Sequence, residues 1–275
     1  MQPPPPRPAD YVLGGTDTEQ HRLLLQTAGF EPEAAWLLDR LEVRPGWRAL
    51  DVGCGPLGIL PALAERVGPS GTVVGLEREA RFAAMARDQV AERRLANVTV
   101  VQTDGRATGL PRAAFDLVHE RLVLINLPDP ETLLAEMVAL ARPGGWVAAQ
   151  EVDSSAWFCE PPHPAWSRLF GVFEAIFRAS GLTPFFGRRL PGLLRAAGLR
   201  DVQVHLHARV DEPGDYRRTH LLSLVASVRE RALALGLLTE PELDELTTAL
   251  RAYLDDPDTL VSRQLLVQAW GRRPA

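Results

Sequence analysis

Apolar and polar positions follow two rhythms along this chain. Five short apolar runs bounded by turn formers predict strands over 47–52 (WRALDV), 72–77 (TVVGLE), 97–102 (NVTVVQ), 114–119 (AFDLVH) and 145–151 (GWVAAQE). Between them, apolar residues recur at helical spacing, predicting helices over 57–67, 79–94 and 130–141. Upstream, 17–28 and 31–41 read as helices, with Leu24, Ala28, Ala35, Leu38 and Leu41 near that spacing, and Pro45-Gly46 makes a turn. Downstream come a helix over 189–198 and two late strands over 201–210 and 261–270. Strands alternating with helices of this length predict right-handed βαβ units. The expected fold class is α/β, with a seven-stranded, mostly parallel sheet and helical cap insertions.

Two stretches fall outside the alternation. Residues 154–187 hold eight of the chain's 18 aromatics, including Trp157, Trp166, Phe170, Phe173 and Phe177. The last four have helical spacing, so a helix core and a lid over an apolar ligand are both open. Residues 215–255 read as two helices separated near Gly236 and Pro241. The expected organisation is a disordered Pro-rich tail over 1–10, cofactor-covering helices over 11–45 and a cofactor-binding core over 46–153. An aromatic-rich lid follows over 154–187, and the rest of the core sheet over 188–275, interrupted by the 215–255 insertion.

Composition narrows the chemistry. The chain has 275 residues, a formal net charge of −5 and 30 basic side chains, all of them arginine. Without lysine there is no Schiff-base residue and no phosphate-loop lysine. Two cysteines, Cys54 and Cys159, exclude a disulfide framework and a four-cysteine zinc site. An acidic chain with no basic block is not built for nucleic acid. No apolar run reaches the roughly 18 residues of a membrane span. Met1 to Pro8, with four consecutive prolines, does not read as a signal peptide, so a cytoplasmic protein is expected.

The first strand runs into Asp51-Val52-Gly53-Cys54-Gly55-Pro56-Leu57-Gly58, where Gly53, Gly55 and Gly58 satisfy G-x-G-x-x-G between a strand and a helix. Two cofactor classes share that turn. Asp51, Glu77, Asp104 and Glu120 stand at the ends of four successive predicted strands and so cluster at one sheet edge. Like charges about 4 Å apart repel by on the order of 4 kcal/mol at an effective dielectric of about 20. That edge repels a pyrophosphate and attracts a cofactor bearing an ammonium and a sulfonium, which disfavours a nicotinamide oxidoreductase.

The ordered series extends this turn. Glu77 ends strand two, and Thr103-Asp104-Gly105 with Leu110-Pro111 follows strand three. Phe115-Asp116-Leu117-Val118 leads to Leu127-Pro128-Asp129-Pro130, and Arg142-Pro143-Gly144-Gly145 precedes strand five. Over about residues 47–151 the chain resembles the class I S-adenosylmethionine-dependent methyltransferases of the bacterial small-molecule type, which implies a Rossmann-like fold and S-adenosylmethionine as cofactor. The resemblance assigns Gly53 and Gly55 to close backbone approach, Glu77 to the ribose hydroxyls and Asp104 to the adenine amine, with Gly105 leaving room for the ring. Arg78 falls beside the adenine edge, Cys54 packs in the turn, and Asp51, Glu120 and the His119 carbonyl fall toward the methionyl end. Tyr11-Val12-Leu13-Gly14-Gly15, Glu19, Arg22-Leu23 and Gln26 look like the leader of that family, whose helix covers the cofactor. Tyr11 and Gln26 are the contacts it implies.

Methyl transfer is an in-line displacement, so the protein mainly supplies alignment and water exclusion. Where a base is needed, the candidates at the carboxyl edge are His119, Glu151 and Asp153, with His163 in the aromatic stretch. His205 and His207 alternate on one strand face and read as structural, while His21 and His220 read as exposed or packed. The histidine spacing offers no metal triad, and no metal site is expected. His119-Glu120-Arg121-Leu122 stands where amine methylases of adenine or glutamine carry an Asn-Pro-Pro-Tyr-like tetrapeptide. The expected activity is methyl transfer to an apolar or aromatic small molecule, in secondary metabolism. The alternative is a protein of the same fold that binds S-adenosylmethionine and catalyses a non-methylating reaction such as cyclisation. The acceptor atom and the oligomeric state stay open.

Overall fold

The apolar runs assemble into a seven-stranded sheet in the order β3-β2-β1-β4-β5-β9-β7. The computed structural model describes residues 29–275. The proline-rich tail, the 17–28 helix, Tyr11 and Gln26 lie outside the described residues. Strands β1 (Arg48–Val52), β2 (Thr72–Glu77), β3 (Val98–Gln102), β4 (Phe115–Arg121) and β5 (Ala141–Asp153) run parallel. Strand β9 (Leu265–Arg272) is antiparallel to both β5 and β7 (Arg200–His207). Strand β1 is buried from Ala49 to Val52, as expected of a parallel strand covered on both faces. It has β2 on one side and β4 on the other, which makes the carboxyl ends of β1 and β4 the switch point where α/β sheets bind ligands.

Alternation along each strand sorts side chains between the two faces. On one face, Ala34, Leu37 and Leu38 of helix α1 (Glu31–Arg40) pack with Ala49, Leu117, Ala148 and Trp270. On the other, Leu133, Leu134 and Met137 of α4 (Pro130–Leu140) pack with Leu50, Val118 and Val147. Helices α2 (Leu60–Val67) and α3 (Ala80–Glu92) complete the βαβ units.

Several boundaries differ from the sequence reading. Helix α2 begins at Leu60 rather than at 57, because Gly58 holds φ +55, which a right-handed helix cannot contain. The late strands are β7, ending at His207, and β9, starting at Leu265. Between them Val210 bridges Ser262 and the Asp211 N–H donates to the Val261 carbonyl, which takes the chain off the main sheet. Leu260–Val261 (β8) pairs instead with Cys159–Glu160 (β6) in a two-stranded sheet. The 215–255 stretch forms a 3-10 turn over Tyr216–Thr219 and three α-helices, α7 (His220–Ser227), α8 (Arg229–Ala234) and α9 (Glu240–Leu254). Gly236 at φ +65 marks the expected break, and α9 starts on a Thr239–Glu242 capping box. The second break, at Val228, carries no Gly or Pro signal.

Helix α5 (Pro164–Ala179) resolves the open question about the aromatic stretch. Trp166, Phe173 and Phe177 are core residues, the Phe173 and Phe177 rings lying 4.4 Å apart. Trp157 packs edge-on against Trp166 and Phe170. Phe173 and Phe177 also line a cavity at the carboxyl edge of the sheet, so one helix serves both purposes.

Candidate active site

The cavity, about 250 Å³, opens above β1, β2 and β4 and is bounded on one side by the glycine turn. Gly53, Gly55 and Gly58 all adopt positive φ. A Cβ on Gly53 would meet Val123 at 2.4 Å, and one on Gly58 would meet Asp51 at 2.6 Å. At Gly55 nothing lies within 4 Å, so the missing side chain leaves the backbone open to the cavity. Such a cradle suits close approach of a ligand.

Glu77 lines the next stretch. Its Oε2 accepts from the Gly55 N–H at 2.9 Å and its Oε1 from the Glu79 N–H at 2.8 Å. Burial raises its pKa, against backbone N–H groups that favour the charge. Two fixed oxygens with lone pairs remaining form a bidentate acceptor suited to a pair of hydroxyls. Asp104 lines the cavity further along, its carboxylate gripped by Arg106 through Nε at 3.1 Å and Nη2 at 2.8 Å. The hydrogen bond from Arg106 holds this carboxyl below its ordinary range. Gly105 is needed for space: a Cβ there would reach Val52 at 2.7 Å. Arg78 lines the same end and pairs with Glu79. Phe82, in the first turn of α3, adds an aromatic wall that the sequence reading missed. Cys54 is buried, and burial together with Asp51 and Glu77 pushes its thiol pKa well up, so it packs as a neutral residue.

Asp51 also borders the cavity, but its carboxylate faces inward. Oδ1 accepts from His119 Nδ1 at 2.7 Å, and Oδ2 from the Ile59 N–H at 3.3 Å. It therefore ties the glycine turn to the sheet. The Gln150 amide donates to His119 Nε2 at 2.7 Å, and Gln150 Oε1 accepts from Gln268 at 2.6 Å. Gln268 Oε1 in turn accepts from His207 Nε2 at 2.9 Å. This chain crosses β1, β4, β5, β9 and β7 on the α1 face. His119 is fully buried and does not line the cavity, which corrects its placement as a base. His205 stacks on Trp36 with ring centroids 4.1 Å apart, a structural position like that of His207.

Glu120 and Glu151 point to the opposite face and are fully buried there. Glu120 Oε2 accepts from the Val123 and Leu124 N–H groups, and Glu151 Oε1 from the Ile125 N–H. The two carboxyls adjoin, and Glu120 Oε1 and Glu151 Oε2 meet no other donor among the described residues. Burial pushes Glu120 up to about 7, and burial plus the charge of Glu120 pushes Glu151 well above its ordinary value. Facing carboxyl oxygens need a proton between them. The pair thus anchors segment 122–126 from behind the cavity wall, rather than meeting a ligand as the sequence reading expected.

Asp153 is likewise diverted. Arg188 grips it through Nε and Nη2, each at 2.7 Å. Burial opposes ionisation, but Arg188 and Ser155 outweigh it and hold the carboxyl at about 2. It lies off the cavity and anchors the chain before α6 (Leu190–Ala196). His163 caps α5 and stacks on Tyr253, also off the cavity.

The remaining cavity wall comes from elsewhere. Leu122 and Val123 follow β4, Phe173 and Phe177 come from α5, and Leu224 comes from α7. Polar groups here are Arg121, Asn126, His220 and Gln264. His220, read from sequence as exposed or packed, sits beside Trp157 and lines the cavity. Arg121 was legible in principle as the next residue of a functional strand end. His220 and Gln264 carry no local signal, because packing alone brings them here.

The geometry has close parallels among known proteins. A family model described as a methyltransferase domain matches residues 50–149. A demethylmenaquinone methyltransferase of Geobacillus sp. (strain WCH70) is 40% identical over 179 residues, covering 61% of this chain and 76% of that protein. Nocamycin O-methyltransferase of Saccharothrix syringae is 40% identical over 116 residues, covering 42% of this chain and 41% of that protein. Across the first curated relatives the chain spans between 41% and 76% of their length, and for two of them less than two thirds. A solved S-adenosylmethionine-dependent methyltransferase from Aquifex aeolicus shares the fold with a TM-score of 0.53 at 21% identity, over 72% of this chain and 93% of its own. The glycine cradle, the fixed Glu77 acceptor and these matches agree: the chain belongs to the class I S-adenosylmethionine-dependent methyltransferases.

Proposed function

We propose that this protein transfers the methyl group of S-adenosylmethionine to an apolar or aromatic small molecule, in the secondary metabolism of the cytoplasm. One observation carries the reading. A single cavity joins the cradle of Gly55 and Glu77 to a wall of Phe173, Phe177, Pro184 and Leu224. The relatives named for demethylmenaquinone and nocamycin support a small-molecule acceptor. The family cofactor, when bound, supplies the transferable methyl on a sulfonium. Gly53 and Gly55 would admit its methionyl part, Glu77 its ribose, and Asp104 and Gly105 its adenine.

The chain's own contribution is binding, orientation and exclusion of water. His119, Glu151 and Asp153 are all spoken for by internal partners, so none is assigned a proton-transfer step. Among the described residues no helix is long and apolar enough to cross a membrane.

The test has two stages. Calorimetry with S-adenosylhomocysteine should show stoichiometric binding, and its absence would sink the reading. Incubation with methyl-labelled S-adenosylmethionine and hydroxylated aromatic compounds should then place label in a product. Binding accompanied by an altered but unlabelled acceptor would favour non-methylating chemistry such as cyclisation.

A further inference from the structure

Arg121 ends β4 on the same face as His119 and lines the cavity beside Leu122 and Val123. Its guanidinium lies over the Phe30 ring, 5.7 Å from the centroid. Nη1 is buried and meets no acceptor among the described residues. Four carboxylates, those of Asp51, Glu33, Glu120 and Glu31, lie close enough to act on its charge, but none hydrogen-bonds Nη1. Asp51 holds His119 and the Ile59 N–H, Glu33 accepts from Arg209 at 2.8 Å, and Glu120 holds segment 122–126. A guanidinium offers five donors in a planar fork, and leaving such a group buried without acceptors is costly. Arg121 is therefore a cation at the cavity wall with its Nη1 left without an acceptor among the described residues.

A second observation points the same way. His220 and Gln264 line both this cavity and a smaller one, whose wall includes Phe30, Arg217 and Arg263. Arg263 donates two N–H groups to Asp211, yet its Nη1 is also buried with no acceptor among the described residues. This end presents the guanidinium groups of Arg121, Arg217 and Arg263, with Asp211 as the carboxylate of the smaller cavity's wall.

We propose that the methyl acceptor carries a carboxylate and that Arg121 receives it. The substrate class is thus an apolar or aromatic carboxylic acid, its ring against Phe173 and Phe177 and its carboxylate on the planar fork of Arg121. This inference rests on the methyltransferase reading and deepens it.

Matched probes test it on the full chain saturated with S-adenosylhomocysteine. Calorimetry compares 4-hydroxybenzoate with 4-hydroxybenzamide, and 1-hydroxy-2-naphthoate with its amide. A hydrogen-bonded charge contributes about 1.5–3 kcal/mol, so at least one acid should bind about 10- to 100-fold tighter than its amide. Arg121→Met should bring the acid down to the level of the amide, and Arg121→Lys should keep part of the preference. The affinity for S-adenosylhomocysteine should stay within about threefold in both variants, and their thermal melts report folding. Equal or absent binding of acid and amide by the unaltered chain overturns the proposal. So does an Arg121→Lys or Arg121→Met chain that keeps the acid preference but loses S-adenosylhomocysteine, since that places Arg121 on the methionyl carboxylate of the donor. Failure of the unaltered chain to bind S-adenosylhomocysteine at all would instead refute the methyltransferase reading.

Discussion

The two ends of the cavity are built in opposite ways. The end around Gly55, Glu77 and Asp104 comes from one unbroken run of βαβ units, and each side chain stands at the end of its own strand. The end around Phe173, His220 and Gln264 is gathered from α5, α7 and the segment before β9, which together span more than 90 residues of sequence. The first end uses backbone geometry, with positive-φ glycines and a carboxylate fixed by N–H groups. The second uses side-chain bulk and a few polar tips. A site of the first kind tolerates little change and serves one ligand. A site of the second kind can be reshaped by single substitutions while the sheet stays intact.

The largest effects should separate the two ends. Glu77→Ala removes the acceptor for the Gly55 and Glu79 N–H groups as well as the ligand-facing lone pairs. With two charge-assisted hydrogen bonds lost at about 1.5–3 kcal/mol each, S-adenosylhomocysteine affinity should fall about 100-fold or more. Phe177→Leu should leave that affinity within about twofold while kcat/KM for an aromatic acceptor drops about 10-fold, through lost ring contact. Its stability cost should stay below the roughly 3–5 kcal/mol of a Phe→Ala change. Calorimetry and labelled turnover on both variants check this. If Phe177→Leu weakened S-adenosylhomocysteine as much as Glu77→Ala does, the two ends would be one site.

The same contrast explains what the sequence disclosed. Gly53, Gly55, Glu77, Asp104 and Gly105, which the resemblance singles out, all line the cavity, because each depends only on its strand ending where the apolar run stops. Strand alternation was also readable, and it fixes which face His119 and Glu120 occupy. What it cannot reveal is partner identity. Nothing local indicates that Asp51 reaches His119, that Gln150 and Gln268 continue the chain, or that Arg188 takes Asp153 from 35 residues away. Every strand-end carboxylate is therefore expected to face a ligand, although only Glu77 and Asp104 offer theirs to the cavity. The other four hold the turn (Asp51), segment 122–126 (Glu120 and Glu151) and the approach to α6 (Asp153).

The buried Glu120–Glu151 pair gives that distinction a pH signature. Burial lifts both carboxyls, so above Glu120's ordinary value of 4.5 the folded chain keeps a proton that the unfolded chain has released. This contribution is complete below about pH 4.5 and is lost as pH rises through the Glu120 value of about 7. The melting temperature should accordingly fall between pH 5 and 8, by roughly 4 °C or more. Asp153, held at about 2, acts only in a lower window and with the opposite sign. His205, whose pKa is lowered by burial and His207, favours folding as pH rises and partly masks the fall. Comparison with Glu151→Gln isolates the pair, since the amide supplies a permanent donor to Glu120 Oε1. Its melting curve should be flatter across this range than that of the unaltered chain. Parallel pH profiles in the two proteins would show that no shared proton holds segment 122–126.

Asp104 should give the smallest effect, and it sharpens the comparison from within the glycine-turn end. Its carboxylate is already gripped by Arg106, and the pair is partly exposed, with side chains 38% and 29% accessible. An ion pair of that exposure contributes about 0–1 kcal/mol. Asp104→Asn keeps an oxygen acceptor and gives up only the charge. The expected loss of S-adenosylhomocysteine affinity is about threefold, with Asp104→Ala nearer 10-fold as the acceptor disappears. The order Glu77→Ala, Asp104→Ala, Asp104→Asn follows from how the oxygens are held: each Glu77 oxygen by a backbone N–H in a buried position, those of Asp104 by one backbone N–H and the partly exposed Arg106 guanidinium. A loss on Asp104→Asn as large as on Glu77→Ala would mean that negative charge, and not fixed acceptor geometry, governs this end of the cavity.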